Sequence, residues 1–169
     1  MEKHRLDKDG KAFKSGNEAE ILFKKLMESK GYLVEETSKK DQFANKGDFV
    51  CTKDGKEEWY EIKGRKRINR QDSEFNDKLV WIELQKVNGN PGALYGSFSK
   101  FAFQFTENAF IIVGRDELQK LVESKLQNIK VTHASDALYK LYQRWQRNDL
   151  LSLIKFSDLL SLSHTILNP

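Results

Sequence analysis

The chain has 169 residues and a mass of 19.7 kDa, the size of one ordinary domain. Its 11 Phe, 5 Tyr and 3 Trp argue against a disordered chain, although 32% of residues are charged and the mean hydropathy is −0.67. The 29 Lys and Arg outnumber 25 Asp and Glu, for a net charge of +4 and a pI near 9.0, which favours a polyanionic partner. The single cysteine, Cys51, excludes an internal disulfide framework and a Cys-rich zinc site.

The longest purely apolar run, around Ala109 to Val113, is too short to span a membrane, and the charged N-terminus lacks the apolar stretch of a signal peptide. The expected location is intracellular, cytoplasmic or nucleoid-associated, with no membrane partner and no small-molecule substrate. Residues 1–15, with Lys3, Arg5, Lys8, Lys11 and Lys14, read as a loose basic arm.

Asn17 to Lys30 reads as a helix. Asn17 is its expected N-cap, Glu18 and Glu20 lie at the positive end of its dipole, and Ala19, Leu22, Phe23, Leu26 and Met27 repeat at helical spacing. Gly31 is the expected terminator, followed by a short strand at Tyr32 to Val34. Ser38 to Lys46 reads as a polar loop. Asp48 to Thr52 and Glu58 to Lys63 read as paired strands joined by the tight-turn dipeptide Asp54-Gly55. On the second strand Trp59, Glu61 and Lys63 share one face, and Tyr60 and Ile62 the other.

Arg65 to Lys78 reads as a loop or short helix, and Leu79 to Leu84 as a strand expected to pair beside the hairpin. Asn88 to Gly92 reads as a turn. The alternation of Phe101, Phe103 and Phe105 marks another strand, more suited to core packing than to base stacking, and Ala109 to Val113 a buried one. Asp116 to Gln127 reads as a helix, and so do Ser135 to Arg147 and Asp149 to Leu167. The expected fold class is α/β, a mixed central sheet flanked by helices with further helices at the C-terminus.

Chemistry concentrates at one end of the hairpin. Asp48 opens one strand and Glu61-Ile62-Lys63 closes the other, bringing two carboxylates and a lysine together. Such a set suits Mg²⁺, which takes one or two carboxylates, keeps waters and accepts a phosphate oxygen. A neighbouring ammonium orients a water or stabilises developing negative charge. The spacing Glu-x-Lys also occurs at Glu28-Ser29-Lys30 and Glu123-Ser124-Lys125, both within helical patterns, so the hairpin context is what discriminates. The plainer readings are a cross-strand ion pair for Glu61 and Lys63 and a strand-end residue for Asp48.

This arrangement resembles the PD-(D/E)xK nuclease superfamily. Gly16, Glu20, Gly31-Tyr32, Asp48 and Glu61-Ile62-Lys63 are similar in order and spacing to Holliday-junction resolvases of the archaeal type, over roughly residues 15–65. The resemblance implies a restriction-endonuclease-like core at 16–130, preceded by the arm at 1–15 and followed by a helical extension at 131–169 packed on the same domain. It implies Asp48 and Glu61 as metal ligands, the Ile62 main-chain carbonyl as an additional one, Lys63 as the catalytic lysine, and Glu20 as a helix-borne acidic supplement to the metal site, with Glu18 its rival. It departs from the motif at Gly47, where the name has proline, and matches nothing after Arg67.

Five basic residues fall within Lys63 to Arg70. Arg65, Lys66, Arg67 and Arg70, extended by Lys39 and Lys40, are the expected phosphate contacts, or else a solvated charged loop. Glu83 and Gln85 share a strand face and are further candidates for touching a water or the scissile phosphate. His4, His133 and His164 are scattered without metal-ligand spacing. The expected function is a metal-dependent DNA endonuclease using Mg²⁺, with Mn²⁺ as substitute, leaving a 5′-phosphate and a 3′-hydroxyl as the resemblance implies. Junction resolution, which requires a homodimer, homing or restriction, and repair all remain open as its task. The alternatives are a non-catalytic nucleic-acid-binding protein on a nuclease-like fold and a protein-interaction domain.

Overall fold

The computed structural model describes residues 11–169. The basic arm falls outside the described residues at Lys3, Arg5 and Lys8. Its last part, Lys11 to Ser15, is not a loose arm but the first turn of a helix.

That helix, α1 (Lys11–Ser29), begins six residues before the expected N-cap, so Asn17 lies within it rather than at its start. The first two turns hold only Ala12 and Phe13 as apolar residues, adjacent in sequence, and so carry no apolar periodicity from which a start can be read. Gly31 ends the helical segment as expected, with φ 89° in the left-handed region. Strand β1 (Leu33–Glu36) follows. The segment expected as a plain polar loop holds a short helix, α2 (Lys39–Phe43), whose N-cap Ser38 accepts a hydrogen bond from the Asp41 N–H. Strands β2 (Phe49–Lys53) and β3 (Lys56–Lys63) form the expected hairpin, with Asp54 (φ 51°) and Gly55 (φ 75°) in the turn.

Gly64 to Lys78 contains no helix or strand. Next come β4 (Leu79–Gln85), a 3₁₀ turn at Ala93–Tyr95, β5 (Lys100–Thr106), β6 (Ala109–Gly114) and α3 (Arg115–Lys125). The C-terminal segment is not the expected pair of helices. It consists of β7 (Lys130–Val131), a 3₁₀ turn at Ala134–Asp136, β8 (Leu141–Tyr142), β9 (Leu150–Lys155), the six-residue α4 (Phe156–Ser161) and β10 (His164–Leu167).

The strands form two sheets. The larger has the order β1-β2-β3-β5-β6-β10, antiparallel throughout except for the parallel pair β3 and β5. The smaller has the order β4-β9-β8-β7. β4 therefore does not pair beside the hairpin. It lies in the crossover that a parallel β3–β5 connection demands, and its partner is β9, about 70 residues further along the chain. The result is an α/β fold with a mixed sheet.

The period-two alternation of the central strands buries both faces of the larger sheet. On one face Phe49, Cys51, Tyr60, Ile62, Ala102, Phe110 and Ile112 pack against Ala19, Phe23, Leu26 and Met27 of α1. On the other face Phe101, Phe103, Ile111 and Val113 pack against Ile82, Leu84 and Ile154 of the smaller sheet and Leu118 and Val122 of α3. Phe101 and Phe103 are thus core residues, stacked on each other at 5.2 Å between ring centroids. Cys51 is fully buried, and burial with the nearby Glu58 carboxylate pushes its thiol up to about 12.

Phe23 is the α1 side chain that locks helix to sheet. It is fully buried, with ring centroids 5.9 Å from Phe49, 5.3 Å from Tyr60 and 5.7 Å from Phe110. Phe23→Ala leaves a cavity between rigid rings and is expected to cost about 3–5 kcal/mol, read as a shift in the urea midpoint without a change in slope.

Candidate active site

The site is built where β2 leaves β3. The last β2–β3 pair is Phe49 with Tyr60, and the Asp48 N–H still donates to the Tyr60 carbonyl at 2.7 Å. One step further, the Asp48 side chain replaces the backbone, and its Oδ2 accepts the Ile62 N–H at 2.8 Å. In a β-strand the N–H and C=O of one residue lie on the same strand edge. The Ile62 carbonyl therefore faces the same opening beside Asp48 and past the end of β2.

Gly47 makes this departure sterically feasible. Its φ is 103°, and a Cβ there would stand 2.9 Å from the Tyr60 oxygen and 3.2 Å from Phe98 Cβ. Thr37, just beyond β1, fixes the same peptides: its N–H donates to the Asp48 carbonyl at 2.9 Å and its hydroxyl to the Gly47 carbonyl at 2.6 Å. Nothing in the sequence marks Thr37 for this role. A threonine after a charged strand carries no local signal of a partner ten residues away.

Asp48, Glu61 and Lys63 alternate with the buried Phe49, Tyr60 and Ile62, so they face away from α1. Lys63 Nζ lies 2.8 Å from Glu61 Oε1. Glu20 approaches from α1, whose axis crosses the end of β3 closely at Gly64. A Cβ on Gly64 would meet Ala19 Cβ and the Ser15 carbonyl oxygen, each at 3.2 Å. Glu20 is half-buried, whereas its rival Glu18 is exposed and pairs with Lys14 at 3.9 Å. Lys39 on α2 lies 3.7 Å from Glu36 and close enough to Glu20 to favour its charged form.

Electrostatics tie these groups into one cluster. Burial raises the Asp48 carboxyl from its ordinary value to about 7, and Glu61 and Glu20 add to the rise against the Ile62 N–H and Lys63. Glu20 is raised by burial, then by Glu36 and Glu61. For Lys63, burial favours the neutral form, but Glu61, Glu83 and Asp48 outweigh it and hold the ammonium charged. Glu83 therefore belongs to the surroundings of Lys63 although β4 lies in the other sheet, and its Oε1 also accepts the Ala93 N–H at 3.1 Å. Gln85, by contrast, is tied to the Asn148 carbonyl at 2.5 Å.

The basic stretch is less uniform than its sequence. Arg65 makes a two-pronged contact with Asp77, at 2.9 and 2.5 Å, and lies 4.6 Å over the Phe75 ring, so its guanidinium organises the loop. Arg67 Nη1 donates to the Asp72 carbonyl at 3.4 Å, and its own carbonyl accepts the Trp81 indole N–H at 3.2 Å. Lys40, Lys66 and Arg70 are exposed.

Among the described residues no three His, Cys, Asp or Glu side chains stand together as a metal-holding group. The donor set nevertheless fits a hard divalent cation, which needs only one or two protein carboxylates. Asp48 keeps one oxygen on the Ile62 N–H and has a second to offer, beside Glu61 and the Ile62 carbonyl. No family model matches the sequence, and no curated protein or solved structure matches it significantly.

The raised Asp48 carboxyl has a stability consequence with a definite sign. Well below pH 4 both folded and unfolded chains hold the Asp48 proton. Between there and about pH 7 only the unfolded chain gives it up, so stability falls as pH rises through that window and then levels. Asp48→Asn removes this cost and can still accept the Ile62 N–H. In EDTA it is expected to raise stability by on the order of 2–4 kcal/mol at pH 8 and by little near pH 4, compared as urea midpoints at the two pH values.

Proposed function

We propose that the chain is a metal-dependent DNA endonuclease resembling the PD-(D/E)xK superfamily, with Asp48, Glu61, Lys63 and Glu20 at its active site and Mg²⁺ or Mn²⁺ as the cation. The observation that carries this reading is the crowding at the end of β3. Burial and neighbouring carboxylates, Glu61 among them, raise the proton affinity of Asp48 and Glu20, and Lys63 is the close cation of the group. Carboxylates gathered at such electrostatic cost are what a divalent cation and a phosphate would require. A mixed sheet with α1 against one face agrees with the restriction-endonuclease-like core that the resemblance implies.

In this reading Asp48, Glu61 and the Ile62 carbonyl hold the cation, with Glu20 behind them. When bound, the cation would acidify a coordinated water and neutralise charge on the scissile phosphate. Lys63, held charged by three carboxylates, presents its ammonium to the developing negative charge and positions the attacking water. Glu83 restrains Lys63 from the side of β4. Lys39, Lys40, Lys66 and Arg70 meet neighbouring phosphates, while Arg65 and Arg67 keep the loop in shape.

The second reading, a non-catalytic nucleic-acid-binding protein, has one observation in its favour: the Lys63 ammonium pairs with Glu61 at 2.8 Å and so offsets its charge without a metal ion. A panel of labelled DNAs separates the two. Four-way junction, linear duplex, single strand and supercoiled plasmid are incubated in Mg²⁺, Mn²⁺ or EDTA with the wild type, Lys63→Ala and Asp48→Ala. The expected outcome is metal-dependent cleavage that falls by at least about 10²-fold in both variants, with unchanged circular dichroism. Binding without cutting in either metal selects the second reading.

A further inference from the structure

The smaller sheet carries an unusual turn. Between β8 and β9, which pair antiparallel at Tyr142 and Leu151, the chain folds into a β-turn closed by the Arg147 N–H on the Arg144 carbonyl at 3.1 Å. Trp145 and Gln146 occupy its two central positions. Gln146 takes a left-handed φ of 55°, a conformation that a residue with a side chain seldom adopts. Trp145 is 85% exposed, in contrast to Trp59 and Trp81, which are half-buried.

The surroundings of that indole are cationic. Arg144 and Arg147 share one buried carboxylate, Asp149, with Arg144 in close contact and Arg147 at 3.8 Å. Arg144 Nε is buried without a hydrogen-bond partner. Burial, Arg147 and Arg70 together pull Arg144 down to about 10, and burial and Arg70 also lower Arg147. Arg70, from the loop that leaves the candidate active site, therefore stands within electrostatic reach of both. Beside the turn lies an open cleft of about 560 Å³ lined by Lys130, Thr132, Gln143, Arg144, Trp145 and Arg147.

This patch connects to the candidate active site. Trp81 donates its indole N–H to the Arg67 carbonyl and packs on Tyr142, with ring centroids 5.5 Å apart. Glu83, two residues along the same strand, favours the charged forms of both Lys63 and Arg144. The basic loop after β3 and the β8–β9 turn thus border one surface.

We infer that the β8–β9 turn is a binding site for unpaired nucleotides, in which Trp145 stacks on an exposed base while Arg144 and Arg70 engage the flanking phosphates and Arg147, its side chain largely buried beside Asp149, holds the turn. A flat, exposed indole suits an unstacked base, because every base offers a π-face to it. An arginine excess over a single carboxylate suits phosphates better than the mixed charge of a protein surface. The inference rests on the reading of the chain as a protein acting on DNA and narrows its substrate to DNA with single-stranded or branched regions.

The test measures binding in EDTA, where no cutting occurs. Fluorescence anisotropy of a labelled mixed-sequence single-stranded oligonucleotide and of its duplex is recorded over a salt series for the wild type, Trp145→Ala, Trp145→Phe and Arg70→Gln. Trp145→Ala is expected to weaken single-strand binding ~10-fold, Trp145→Phe to regain most of it, and duplex binding to change less than about 2-fold. Arg70→Gln is expected to weaken both and to lower the single-strand salt slope by about one.

Single-strand affinity within about 2-fold of wild type in Trp145→Ala overturns the inference. If that variant also sediments as a smaller species, the turn is a protein contact instead. A chain that cuts no DNA yet binds single strands through Trp145 loses the nuclease reading and keeps this one. Lys63-dependent cutting with no effect of Trp145→Ala on single-strand binding gives the reverse.

Discussion

Everything at the candidate site depends on how one strand is satisfied. β3 is hydrogen-bonded on one side to β2 and on the other to β5, and it is packed on both faces. Its backbone groups near Ile62 need partners, and β2 ends before it can supply them. The Asp48 carboxylate fills that place at the Ile62 N–H. The Asp48 side chain is thereby fixed by the same bookkeeping of backbone donors that holds the sheet together. Gly47 and Thr37 serve this substitution, the first by allowing the close pass of β2 over Tyr60, the second by pinning the peptides on either side.

The electrostatic pattern follows from that placement. A carboxyl fixed by a backbone donor at the edge of a packed sheet cannot move away from its neighbours. Glu61 alternates onto the same face, and α1 brings Glu20 across the end of β3 because Gly64 lets the helix close in. Lys63 offsets part of the resulting repulsion and is itself offset from the far side by Glu83. The fold therefore keeps a costly concentration of negative charge within a few residues of its most rigid strand. Such local conflict between stability and sequence choice is the usual mark of a functional site.

The hairpin was legible because its signals are local. Asp54-Gly55 names the turn, alternation places Glu61 and Lys63 together, and the turn's register brings Asp48 to the same end. Glu20 was legible only through spacing to Gly31, which the helix C-terminus obeys. The C-terminal third was not legible. Leu150 to Ile154 is a short segment, apolar but for Ser152, whose periodicity does not separate a buried strand from a helix, and the partner that decides it, β4, lies far back in the chain. β10 is four residues long and owes its conformation to pairing with β6. The pairing of β4 is hidden for the same reason, since adjacency in sequence suggests a neighbour that a parallel crossover displaces. The loop after β3 shows the converse limit: its composition announces positive charge, but only the fold reveals that Arg65 is spent on Asp77.

The position of Cys51 has a consequence for assembly. The chain's one thiol lies under α1 at full burial, with its proton held to about pH 12. Thiolate chemistry at neutral pH is therefore closed to the folded protein twice over, by access and by ionisation. Two folded copies have no disulfide with which to join, and oxidants have no sulfur-linked route to lock them together. Association between folded copies of the chain, where it occurs, is therefore not linked through Cys51 and does not respond to the redox state of its surroundings through that thiol.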